Sequence, residues 1–160
     1  MVQNGFLSIM SAIVTVPALA QTNPLVGAWR LIAADKILPD GKQVADYGVD
    51  PHGIAIFTQG GNYVVEIFKS ERIKFASGDR DKGTPEEYKD VVFSQSCHFG
   101  TYSIDNEKGA ITFNINRATF PNSDQTVQVR PFTLKGDTLS WRVTPRPDGT
   151  VPISVFKRIQ

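Results

Sequence analysis

Short apolar-alternating runs, divided by explicit turn chemistry at fairly regular spacing, constrain this chain to an antiparallel all-β fold. From Leu25 onward the runs are "LVGAWRLIAAD", "GIAIFTQ", "NYVVEIF", "HFGTYSID", "AITFNIN", "TVQVRPFTL", "DTLSWRVT" and "PISVFKRI". The breakers include Gln59-Gly60-Gly61-Asn62, Asp105 to Gly109, Lys135-Gly136-Asp137 and Pro147-Asp148-Gly149, all hairpin-type signals. Ile111, Phe113 and Ile115 alternate with Thr112, Asn114 and Asn116, which predicts one buried and one polar face. Pro131 predicts a bulge or an interrupted ladder in its strand.

One segment breaks the rhythm. Thr84-Pro85-Glu86-Glu87 combines an N-cap Thr, Pro at the first helical position and Glu at the third, and Tyr88, Val91 and Val92 follow at helical spacing. This predicts a helix of about three turns between the third and fourth strands. The preceding "FKSERIKFASGDRDKG" mixes both charge signs and reads as a solvated loop. About eight strands in meander order with one short helix predict an up-and-down barrel, whose interior holds side chains or one small ligand.

Bulk properties exclude several function classes. The 160 residues form one domain, and a formal charge of +1 supplies no footprint for nucleic acid or an anionic membrane. The single Cys97 excludes an intrachain disulfide and CxxC motifs. His52 reads as a loop residue, and the two histidines have no HxH or HExxH spacing, so no metal or cofactor is expected. The amino terminus is more informative. It is apolar from Phe6, carries no charged side chain before Arg30 and ends in Ala18-Leu19-Ala20, a small-x-small cleavage pattern. It is short for a membrane span and interrupted by Pro17, although its first residues lack Lys and Arg. Residues 1–20 are therefore expected to be a secretory signal, with a retained anchor or packing helix as the alternative. The domain would span residues 21–160, periplasmic or secreted, with no integral membrane association after cleavage.

Gly27, two residues before Trp29, is out of place in a strand, where glycine adds no packing. It signals a crowded backbone. Gly27-x-Trp29 resembles the GxW signature of lipocalins and the wider calycin group. More specifically, the chain resembles the bacterial and fungal lipocalin-like domain family. The resemblance rests on "LVGAWRL", "LPDGK", "YGVDPHGIAIFTQGGNYVVEI", "FASGDRDKGTPEEY", "FGTYSID" and "FPNSDQTVQVRPFTLKGDTL", which span nearly all of Leu25 to Val143. It implies a calycin-type barrel closed at one end by Trp29, with Arg158, or less readily Lys157, lying across the indole. Relatives tend to carry His where Asn114 stands, so no acid–base role carries over to that position.

Candidate site residues follow from the barrel. Tyr63, Tyr102, Phe113 and Trp141 are candidate walls of a ligand-binding lumen, and His98, Asn114 and Arg130 candidate polar groups that orient the ligand. Cys97 and His98, as strand neighbours, point to opposite faces and form no nucleophile–base pair. Glu66 shares a strand face with Val64 and Phe68. It is either solvent-facing or an interior carboxylate opposite Arg130, and Arg130 itself is either interior or on the outer wall. The leading functional reading is a barrel binding one small, mostly apolar molecule. The alternatives are a cofactor-free pocket enzyme (isomerase, cyclase or dehydratase) using Glu66 or His98 for one proton transfer, and a packed interaction domain.

Overall fold

The computed structural model describes residues 23–160. The signal-like segment 1–20 and the expected start near Gln21 lie outside the described residues. Among the described residues nine strands occur in chain order, β1 (Gly27–Ile37), β2 (Gln43–Ala45), β3 (His52–Phe57), β4 (Asn62–Phe68), β5 (Gln95–Asp105), β6 (Ala110–Ala118), β7 (Val127–Lys135), β8 (Thr138–Arg142) and β9 (Val151–Arg158). One α-helix, α1 (Pro85–Phe93), connects β4 to β5. All neighbouring strands pair antiparallel. β1 pairs with both β3 and β9, so eight strands close a barrel and β2 adds to the edge of β1.

The short β2 was not expected, because "QVA" is too brief to show alternation. It shifts the strand count, and the helix therefore follows the fourth strand instead of the third. The helix start is the expected capping box: Thr84 Oγ1 accepts from the Glu87 amide, and Glu87 accepts from the Thr84 amide. His52 opens β3 and does not lie in the preceding loop. Pro131 marks where β7 leaves its ladder with β6, and the pairing with β8 begins at Phe132.

Connection lengths give the barrel two unlike ends. The β3–β4, β5–β6 and β7–β8 hairpins are tight and lie together at one end. The β1–β3, β4–β5, β6–β7 and β8–β9 connections are long and lie at the other.

Trp29 closes the tight end, fully buried, with its indole N–H donating to Leu25 O at 2.8 Å. Arg158, its register partner on β9, holds its guanidinium 4.0 Å over the ring. The same guanidinium donates to Val26 O at 2.9 Å and Pro24 O at 2.6 Å, pinning the entering chain. Gly27 adopts φ +129°, and a Cβ there would sit 3.1 Å from Arg158 Nη1. The odd glycine thus answers to both backbone conformation and crowding. Lys157 is exposed and faces Arg30 in register, leaving the stacking role to Arg158.

Above this cap the interior is a continuous aromatic packing. Phe57 lies 4.8 Å from Tyr102 and 6.3 Å from both Phe113 and Trp141, and Trp141 stacks on Phe156 at 4.5 Å. Offset and edge-on rings at these spacings contribute beyond their buried area. Among the described residues no helix is long and apolar enough to cross a membrane.

Candidate functional site

The aromatic packing stops about halfway. Toward the long loops, the barrel holds a cavity of about 300 Å³, the room of roughly ten water molecules by their share of the liquid. Its apolar wall comes from Ala34, Ile67, Ile115, Val143 and Ile153. Its polar lining comes from His98, Arg130 and Gln128 and from several serines and threonines, with Asp46, Tyr47 and Arg146 toward the loops.

Strand β7 explains the polar lining. Its alternation is inverted: Val127 and Val129 are 64% and 58% exposed, while Arg130 is only 6% exposed and Gln128 is half-buried. A half-buried strand ordinarily turns its valines inward. Such a breach of local patterning is expected where function overrides packing.

Arg130 lies with its guanidinium 4.9 Å over the Phe113 ring. Nη2 donates to Gln128 Oε1 at 2.7 Å, and Nη1 is 3.5 Å from His98 Nε2. Among the described residues, Nε is buried without a hydrogen-bond partner and no carboxylate forms an ion pair with the group. Burial pulls the Arg130 pKa down to about 10, so it remains a cation at neutral pH. A buried ion without a counter-charge costs several kcal/mol even after relaxation.

His98 is the adjacent link. Its Nδ1 is 2.9 Å from Tyr63 Oη. Since Arg130 only donates, Nε2 accepts and the ring proton sits on Nδ1, directed at the tyrosine oxygen. Burial, aided by the Arg130 charge, drives the His98 pKa down to about 3. Burial likewise pushes the Tyr63 phenol up to about 12. At neutral pH the trio therefore carries one charge, the guanidinium.

At the mouth, Asp46 accepts from Arg146 Nη2 at 2.6 Å and meets Lys36 Nζ at 3.1 Å. Burial alone would raise its pKa, but these hydrogen bonds outweigh it and hold the carboxyl below its ordinary range. The pair ties the β1–β3 connection to the β8–β9 connection. Asp35 also borders the cavity and accepts from Gln43 Nε2 at 2.7 Å.

The sequence-derived candidates divide accordingly. His98 and Arg130 line the cavity together. Tyr63, Phe113 and Trp141 lie beneath it as packing, because their rings fill the barrel against one another. Tyr102 is further still from the cavity: its hydroxyl donates to Thr58 O and accepts from Asn23 Nδ2 at the closed end. Asn114 is exposed on the outer wall, because Phe113 and Ile115 occupy the inner face, and Thr101 Oγ1 accepts from it at 3.4 Å. Glu66 is exposed on the outer wall, opposite Cys97 in register. The interior partner considered for Arg130 is thus not Glu66. Cys97 is half-buried at the cavity's edge, and burial raises its thiol pKa.

Gln128 escaped the sequence reading, because the alternation in "TVQVR" assigns the inner face to the valines, and only the structure shows that face reversed. Asp46, Tyr47 and Arg146 lie in loops, where no periodicity points at them. Among the described residues no cluster of three or more His, Cys, Asp or Glu side chains is arranged to hold a metal.

A barrel with one aromatic-capped end and one looped, hollow end defines a lipocalin-type architecture, and the family comparison agrees. The sequence profile of the lipocalin-like domain family matches residues 26–156, and the chain belongs to that family. Among solved structures, a lipocalin-like protein from Bacteroides uniformis matches at 16% identity and TM-score 0.43, covering 84% of this chain and 98% of its own. No curated protein matches.

Proposed function

We propose that this chain is an exported barrel that binds one small, mostly apolar molecule in the cavity at its looped end. The observation that carries this reading is the cavity itself: about 300 Å³ of space whose lining is divided between apolar side chains and polar groups that include His98, Gln128 and Arg130. Its volume lies at the small end of the range for ligand pockets. The apolar amino-terminal segment with its Ala18-Leu19-Ala20 ending supports export.

The pocket-enzyme reading receives less support. A base must take up a proton near the working pH, and His98, with a pKa of about 3, does not. Glu66 faces solvent on the other side of the wall. The packed-domain reading fits only the closed half, where the aromatic rings leave no room. The test is uptake of a small molecule at one per barrel, and its loss when the cavity is filled.

A further inference from the structure

Lumen strand β7 places a neutral amide where an acid would complete an ion pair. Gln128 Oε1 sits 2.7 Å from Arg130 Nη2, and a glutamate of the same shape there would neutralise the guanidinium inside the barrel. The chain has not taken that solution. The two carboxylates bordering the cavity are engaged elsewhere, Asp46 by Arg146 and Lys36, and Asp35 by Gln43. His98 on β5 and Tyr63 on β4 bring no charge to the group. Arg130 is thus a 94%-buried cation on a cavity wall, with Nε unpartnered among the described residues.

We infer that the molecule bound in the lumen is a carboxylic acid, its carboxylate seated on Arg130 and its apolar body against Ile67, Ile115, Val143 and Ile153. This inference rests on the binding reading above and names the chemistry of its ligand. Gln128 and His98 engage one donor on each terminal nitrogen, which leaves the second N–H of each to the ligand, while Nε is itself buried. A guanidinium edge meets a carboxylate through two parallel hydrogen bonds, a match that a hydroxyl or an amide does not reproduce. Phe113 beneath the guanidinium and the Gln128 contact hold the fork in place, so little ordering is left for binding to accomplish. The volume of about 300 Å³ suits an acid of about ten non-hydrogen atoms, taking each as roughly a water's share of space.

Octanoate, octanamide and octan-1-ol are matched probes of that size, and their affinities at pH 7 are measured by calorimetry on the full chain. The unaltered protein is expected to bind octanoate at least ten-fold more tightly than either neutral probe. Arg130→Gln should bring the three within about two-fold of one another. Gln128→Glu keeps the shape and supplies the missing internal charge, so it should erase the octanoate preference while octan-1-ol still binds. This second variant preserves the test if Arg130→Gln does not fold. Equal affinity of the three probes for the unaltered protein, or a preference that survives Gln128→Glu, overturns the carboxylate assignment and leaves the binding reading intact. Failure of all three probes to bind the unaltered protein overturns the assignment. The binding reading then falls as well if the cavity also takes up nothing from a mixed extract.

Discussion

Arg158 stacks on Trp29 at 4.0 Å and, with the same guanidinium, holds the carbonyls of Pro24 and Val26. One side chain thereby covers the closed end of the barrel and fixes where the first strand enters. Trp29→Ala is expected to cost about 3–5 kcal/mol as a large-to-small core change. Arg158→Ala should cost less, and the double variant should show coupling of about 0.5–2 kcal/mol, the range of a cation–π contact. Urea unfolding of the four proteins reads this directly. Strictly additive losses would mean that the stacked geometry contributes nothing.

His98 makes the fold sensitive to acid. Its pKa is about 3 in the fold against an ordinary 6.5 in the open chain. Between those values the unfolded state carries the extra proton, so the contribution is complete above about pH 6.5 and declines as pH falls toward 3. Each pH unit in that window is worth about 1.4 kcal/mol, or roughly 3 kcal/mol between pH 7 and pH 4. His98→Gln removes the titrating ring, so its stability should fall by about 3 kcal/mol less over the same interval. Unfolding curves at pH 7, 5.5 and 4 compare the two proteins, and parallel declines would refute the role assigned to His98.

Export makes a separate prediction. Expressed with its native start in a Gram-negative host, the chain should be recovered from the periplasm with an amino terminus near Gln21. Terminal sequencing that finds intact Met1 on cytoplasmic protein would rule out the cleaved-signal reading.

The strands were legible because a two-residue period records which face meets the core. Ile111, Phe113 and Ile115 all lie inside, where their alternation puts them. The family resemblance carried by Gly27-x-Trp29 likewise implied the closed end, and the glycine itself signalled the crowding found there. The cavity was much less legible. Buried aromatic residues look alike in sequence whether they wall a hollow or fill it, and only the packing of Tyr63, Phe113 and Trp141 on one another distinguishes the two. Periodicity misleads in β7, where the valines point out and Gln128 and Arg130 point in. The mouth residues Asp46, Tyr47 and Arg146 sit on loops whose course depends on tertiary contacts.

The claim that the looped end holds one small, mostly apolar molecule is tested most directly by native mass spectrometry. The purified chain is incubated with a mixed metabolite extract and compared with Ala118→Phe, which places a ring in the cavity at a half-buried position on its wall. Circular dichroism and urea unfolding establish that the variant keeps its fold. The account predicts a single adduct per barrel on the unaltered chain, released on denaturation and absent from the folded variant. An unaltered chain that retains no adduct, or an adduct that persists unchanged in Ala118→Phe, would contradict it.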